Sequence, residues 1–305
     1  MEDELWEPLY QLIWSESNRR GRRGGTRFCD AWIVLVFFWA VLHDRPISWA
    51  CRQQHWPLRE RWRVFPSPAT MSRRMRCVSV LKLMEAIWLG LSERSGQPLV
   101  RVVDAKPLPV GGFSKDIDAK WGQAVDAKAK GYKLYSVWGR GSSVPEQWRL
   151  GPMNESEPLV AEIMIRRLRG GGYLLGDSLY DTNPLHRLCG GCGLQLLAPR
   201  KKPGTQLGHQ DHDASRLRAI ELLETRPRLP LPRGTDGADA ARNFGPGLYA
   251  CRTTIEREFG QMGNFGGGLS PLPNWVRRPH RVAVWVAAKL VINGLRICRN
   301  KGVAA

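Results

Sequence analysis

Apolar residues recur at helical spacing along the first hundred positions and at strand spacing along much of the second hundred. Leu5, Leu9, Leu12 and Ile13 fall on one face of an amphipathic helix within residues 1–20. Ala31–Leu42, AWIVLVFFWAVL, is apolar on every face. It is too short to span a bilayer and predicts a buried helix within residues 26–43. Pro46, at a first-turn position, opens a second helical segment, PISWACRQQHW, which Pro57 closes. Residues 58–66 are short and irregular. Ser67 can then cap a helix that Pro68 starts, with Met71, Met75 and Val78 on its apolar face. Arg73, Arg74 and Arg76 lie mostly on its other faces. A helix, a break and a second helix bearing arginines fits a helix-turn-helix reader of DNA. An all-helical packing domain with a basic surface is the alternative.

The pattern changes at SERSGQP (92–98). Leu99–Lys106, LVRVVDAK, is a β-branched strand that runs into Asp104. Residues 111–130 read as a polar loop rich in Gly and Lys. GYKLYSVWG (131–139) and PEQWRLGPM (145–153) read as the strands of a hairpin turned by GRGSS. Glu155–Arg169 predicts a helix, with acids in its first turn and arginines in its last. Tyr173–Gly176 is a strand that leads into Asp177, and Asp181 is placed to cap or shape the turn into a short helix over 182–189. LQLLAPRK (194–201) is a fifth strand ending in basic residues, of which Lys201 is a candidate DNA contact, as are Arg73, Arg74 and Arg76. Residues 203–248 interrupt this order as an insertion, with a helix in SRLRAIELLE and a loop rich in Pro, Gly and Asp. YACRTTIEREFGQM (249–262) then predicts one helix, with Ile255, Phe259 and Met262 toward a core and Glu256 at the edge of that face. A last helix runs from about Pro279 to Asn300, with Val282, Trp285, Val286, Lys289, Leu290 and Asn293 on a packed face. The sum is a helical region over residues 1–96 and a mixed α/β domain over 97–300.

Charge narrows the partners. The 305 residues hold 46 Lys+Arg against 28 Asp+Glu, a net +18. Such an excess favours a polyanion, with nucleic acid ahead of an anionic membrane surface. The basic run RRGRRGG reads as a solvated loop or a phosphate-gripping arm. Seven scattered cysteines point to reduced thiols and a cytoplasmic setting, and the acidic start MEDE does not read as a signal peptide.

Three separated carboxylates carry the candidate chemistry. Asp104 and Asp177 end strands and Glu256 rides a late helix, so a mixed sheet of this order can bring them together. Hard oxygen ligands suit Mg²⁺ or Mn²⁺. Two such ions, about 3.5–4 Å apart, activate a nucleophile and stabilise the leaving oxygen in phosphodiester chemistry. The competing reading of Glu256 is a surface ion pair with Arg252, one turn earlier. A second cluster, Cys189-x2-Cys192 with His186, His209 and His212, has irregular spacing for zinc and fits a reduced pair beside a glycine turn. Neither a nucleophile elbow nor a Walker phosphate loop occurs.

The same residues carry a resemblance. VVDAKPL, LLGDSLYD and the spacing Tyr249-x2-Arg252-x3-Glu256 resemble, in that order, the three catalytic segments of bacterial insertion-sequence transposases of the DDE class. GFSKDIDAKWG, GYKLY and LLAPRKK also look like that family, over roughly residues 98–300. The resemblance implies an RNase H-like core, a mixed sheet flanked by helices. It implies two Mg²⁺ or Mn²⁺ ions on Asp104, Asp177 and Glu256, with Tyr249 and Arg252 orienting Glu256 or gripping phosphate. It further implies double-stranded DNA as substrate, cut at an element's ends and joined to a target by a homodimer assembled on DNA. One position departs: the family's lysine, which follows Glu256 after a six-residue spacer, falls on Gly263. A catalytically decayed DNA-binding descendant and a plain metal-dependent nuclease are the rival readings.

Overall fold

The computed structural model describes residues 2–20, 27–94, 96–202, 205–207, 211–224, 244–264, 269 and 272–302. Residues 21–25 of the basic arm and 225–243 of the insertion lie outside them. In chain order come α1 (Glu2–Arg19), α2 (Asp30–Leu42), α3 (Ile47–Ala50), α4 (Pro68–Arg74) and α5 (Val78–Glu93). Then follow β1 (Val100–Pro109), β2 (Lys120–Gln123), β3 (Lys128–Gly139), β4 (Gln147–Pro152), α6 (Glu157–Ile165), β5 (Gly172–Leu175), α7 (Asn183–Gly191) and β6 (Leu194–Leu197). Last are α8 (Ala214–Glu224), α9 (Phe244–Ala250), α10 (Thr253–Asn264) and α11 (Pro279–Asn300).

The chain forms two compact units. One is Met1–Gly96 with Leu108–Ala119 and Gln261–Ala305; the other is Gln97–Pro107 with Lys120–Gly260. The division is thus not a single cut near residue 97. Helix α11 joins the helical unit because its buried face packs on α1, α2 and α5.

In the helical unit every residue from Ala31 to Leu42 is buried. Each such Val, Leu, Ile or Phe contributes about 1.5–3 kcal/mol on burial. At 13 residues α2 is about 20 Å long, well short of a bilayer core. No described helix is long and apolar enough to cross a membrane. Lys289 sits on the packed face of α11 as expected, and its Nζ meets Asp44 Oδ1 at 2.7 Å.

Two helical expectations are corrected here. PISWACRQQHW forms one α-turn and then a 3-10 turn, Gln53–His55. Residues 51–67 are held instead by tryptophans. The indole N–H groups of Trp56, Trp39 and Trp32 donate to Ala50, His55 and Val64 carbonyls at 2.7, 3.0 and 3.1 Å. This connection is far longer than the 3–4-residue turn of a helix-turn-helix, so α3 and α4 do not form that motif. Second, the helix capped by Ser67, whose Oγ accepts from Thr70 N–H at 3.2 Å, ends at Arg74. A new helix begins at Val78, so Met71 and Met75 are buried while Val78 is exposed.

The other unit is built on a mixed sheet of order β2-β3-β1-β5-β6, with β4 also paired to β3. Strands β1, β5 and β6 are parallel; β2 and β4 run antiparallel to β3. This is the expected RNase H-like arrangement, flanked by α6, α7 and α8. Strand β2 stands where the sequence predicts loop, because KWGQ has no alternation and lies among Gly and Lys. The wholly buried Arg101 of β1 donates to Glu146 and to the Arg169 and Gly171 carbonyls, at 2.8–3.1 Å. That fixes the start of β1 against both neighbouring connections.

Asp181 does not cap the helix after it. It accepts two bonds from Arg216, each 2.7 Å, and lies 3.2 Å from His186 Nε2, which ties α8 to the turn after β5. Burial works to raise its carboxyl, but the Arg216 and His186 bonds outweigh burial and hold it at about 2, below the ordinary 3.8. Its stabilisation is therefore complete above pH 3.8 and is lost as pH falls through the folded-state value. Asp181→Asn should lower stability at pH 7 by about 3 kcal/mol in urea unfolding, with faster amide exchange across α8. The deficit should shrink as the wild type is acidified through that window.

Candidate active site

Strand β1 pairs with β5 in parallel up to Val102, opposite Leu175. Carrying that register two residues further sets Asp104 level with Asp177. Beyond β5, Asp177 stays extended, and its Oδ1 accepts from Leu179 N–H at 2.8 Å to start a 3-10 turn, Ser178–Tyr180. The turn folds the Tyr180 ring back onto Gly176, where a Cβ would lie only 2.9 Å from the ring. Glycine is needed there so that the strand can end with tyrosine packed against it.

The stretch 249–262 is not one helix. Helix α9 ends at Ala250, Cys251 and Arg252 make a turn, and α10 starts at Thr253. Gly245 lets α9 lie on α8, since a Cβ there would collide with the Leu222 carbonyl. Ile255 and Phe259 are buried as expected; the side chain of Met262 lies outside what is described. From the turn, Arg252 Nη1 reaches Glu256 Oε1 at 3.0 Å and Nη2 reaches Asp104 Oδ2 at 3.6 Å. Tyr249 donates its hydroxyl to the Gly176 carbonyl at 3.1 Å, beside Asp177. Asp104, Arg252 and Glu256 are thus linked through one guanidinium, with Tyr249 anchored next to Asp177.

The charges are strongly coupled. Burial pushes the Asp104 carboxyl up to about 6; the Ala105 N–H and Arg252 pull it down, and the Asp177 and Glu157 carboxylates push it up. Burial likewise raises the Tyr249 hydroxyl. Glu157 is a fourth carboxylate in this field. Lys133 Nζ donates to its Oε1 at 2.9 Å and Tyr180 Oη to its Oε2 at 3.2 Å. Lys106, two residues after Asp104 on the same strand face, has its ammonium 5.8 Å from the centre of the Phe259 ring.

Sequence reasoning missed Glu157, Lys133, Tyr180 and Lys106 as neighbours of the site. Lys106 was readable from strand alternation with Asp104, and Tyr180 from its place three residues after Asp177. Glu157 read only as a first-turn helix charge. The other predicted residues scatter. Arg73 and Arg76 are exposed on the helical unit, and Arg76 donates to Ser72 O and Oγ at 3.0 and 2.9 Å. Arg74 is ion-paired with Asp30 and donates to the Phe28 carbonyl at 2.8 Å, so it holds α4 against the start of α2. Lys201 is exposed just beyond β6. In the cysteine cluster, Cys189 is buried in the core and burial pushes its thiol up to about 12. His186 is engaged by Asp181, His212 Nδ1 lies 2.9 Å from Arg216, and His209 lies outside the described residues.

The donor set around Asp104 is right in kind for a divalent ion: hard oxygens, partly desolvated and in excess of the cations beside them. Among the described residues no three His, Cys, Asp or Glu side chains are already drawn to metal-ligand spacing.

Residues 95–288 match the family model of the transposase DDE domain. No curated protein matches the chain significantly. Among solved structures, the piggyBac transposase in a synaptic complex with hairpin DNA aligns at 11% identity and TM-score 0.48, over 98% of this chain and 74% of that one.

In ¹³C NMR of aspartate-labelled protein without added metal, Asp104 should titrate near its raised value of about 6. Arg252→Gln should move the midpoint higher, because the guanidinium holds it down; an unmoved or lower midpoint contradicts this electrostatic account.

Proposed function

The chain belongs to the transposase DDE-domain family, whose members are metal-dependent polynucleotidyl transferases acting on DNA, and from that premise we propose that it cuts and joins DNA at the ends of an insertion sequence. The observation that supports this reading best is the Asp104–Arg252–Glu256 contact beside Asp177. Asp104, Asp177 and Glu256 would hold two Mg²⁺ or Mn²⁺ ions. Bound there, the ions supply Lewis-acid stabilisation of the attacking and leaving oxygens.

The first step is hydrolysis. A water oxygen bonds to phosphorus, the P–O3′ bond breaks, and the leaving oxygen takes up a proton to become a free 3′-OH. That hydroxyl then attacks a target phosphodiester, loses its proton, and displaces the target's own 3′ oxygen. Asp104 and Asp177 fix the place of reaction because rigid strands carry them. Tyr249 steadies the backbone beside Asp177, and Arg252 orients Glu256 or grips a phosphate. Arg73, Arg76 and Lys201 would contact the phosphate backbone of the duplex, with a homodimer assembled on the two ends.

A strand-cleavage and joining assay on duplexes carrying the element's terminal repeats tests the proposal. Wild type should give divalent-metal-dependent nicks and joined products. Asp104→Asn should lose both, by about a hundred- to a thousandfold, on the order of the loss of one electrostatic stabiliser, with DNA affinity nearly unchanged. Unchanged cleavage by Asp104→Asn contradicts the mechanism, and cleavage without joining points to a nuclease. For the helical unit, Arg73→Ala should weaken DNA binding and reduce the salt slope by about 1. Arg74→Ala should chiefly lower the thermal midpoint.

A further inference from the structure

We propose that the Arg252 guanidinium is the resident cation of the carboxylate site, and that divalent ions load by displacing it. This rests on the reading that Asp104 and Glu256 bind divalent ions. The guanidinium already reaches both carboxylates, Asp104 Oδ2 at 3.6 Å and Glu256 Oε1 at 3.0 Å. A divalent ion held by these two carboxylates would stand within a few ångströms of the guanidinium, and the repulsion of like charges at that range makes the two occupants compete.

The hold is suited to release. The contact with Asp104 is long and engages one nitrogen, unlike a bidentate arginine–carboxylate fork. The partner Glu256 has 55% of its side chain exposed, and pairs of that kind are weak. The Nε atom is buried with no hydrogen-bond partner among the described residues, so the guanidinium is incompletely satisfied where it lies. The other cations near Asp104 act on it only at a distance or hold different partners. Lys133 bonds to Glu157, and Lys106 lies over Phe259. Arg252 is therefore the cation placed to offset Asp104 and Glu256 before metal arrives. It is carried by a two-residue turn between helices, where a side chain can swing without unwinding either helix. Once displaced, it stays tethered beside the site as a positive group for a phosphate.

The test uses the full chain in two measurements. Free Mn²⁺ is counted by electron paramagnetic resonance during titration of wild type, Arg252→Gln and Arg252→Lys. Arg252→Gln should bind Mn²⁺ about tenfold tighter or more, the direction set by removing a like charge a few ångströms from the ion. Arg252→Lys, which keeps a cation but as a single ammonium with no fork, should fall between, and it carries the comparison if the glutamine variant does not fold. In parallel, the Arg252 Nε–Hε resonance of wild type, assigned by its loss in Arg252→Lys, should shift with the same midpoint as Mg²⁺ binding. Unchanged or weaker Mn²⁺ binding by Arg252→Gln overturns the proposal. Tighter binding with an unmoved Nε–Hε resonance also overturns it, since the charge would then act without displacement. Asp104→Asn separates the two levels: if it leaves Mn²⁺ binding intact, the carboxylate site itself is wrong. If it abolishes binding while Arg252→Gln changes nothing, only the displacement fails.

Discussion

Carboxylates gathered in a partly desolvated place repel one another, and the structure around Asp104 is arranged to withstand that repulsion. Asp104 and Asp177 cannot drift apart, because they continue two parallel strands whose register is fixed by backbone bonds. Arg101, wholly buried at the start of β1, locks that strand to the connections on either side. The negative charge is then met by cations on separate elements: Arg252 from the turn before α10, Lys106 from β1, and Lys133 from β3 acting on Glu157. A site built in this way favours positive charge more strongly than any one of its carboxylates does alone.

The two aspartates were legible because an apolar run that meets an acid is costly unless the acid binds something. Asp177 does follow the end of β5, but Asp104 lies within β1, which continues to Pro109, and not at its end as the pattern predicted. Glu256 was legible through its spacing from Tyr249 and Arg252. The local geometry that joins them was not. The break at Cys251–Arg252 separates three residues that the periodicity placed on one helix, and it is this break that lets Arg252 reach Asp104. Leu248–Phe259 contains no proline or glycine to announce it. Glu157 was hidden for another reason: its importance depends on Lys133 and Tyr180, distant in sequence and joined only by the sheet.

The helical unit shows a similar limit. Burial of Ala31–Leu42 followed directly from its composition, while the path of residues 51–67 did not. That path is set by tryptophan N–H groups finding backbone carbonyls, a tertiary solution to unsatisfied polar groups that local pattern cannot reveal. Arg74 makes the same point for charge. It was grouped with Arg73 and Arg76 as a DNA contact, yet its guanidinium is taken up by Asp30 and the Phe28 carbonyl. A basic run marks a surface without saying which of its members face solvent.

Asp104, Asp177 and Glu256 are proposed to form one divalent-metal site. Anomalous diffraction from crystals grown with Mn²⁺ and a duplex carrying the element's end would test it most directly. The account predicts an anomalous peak coordinated by Asp104 and Asp177, with Glu256 on the same or an adjacent ion and Arg252 turned away. Mn²⁺ bound on other residues, with the Asp104–Arg252–Glu256 contact intact beside the DNA, would contradict it.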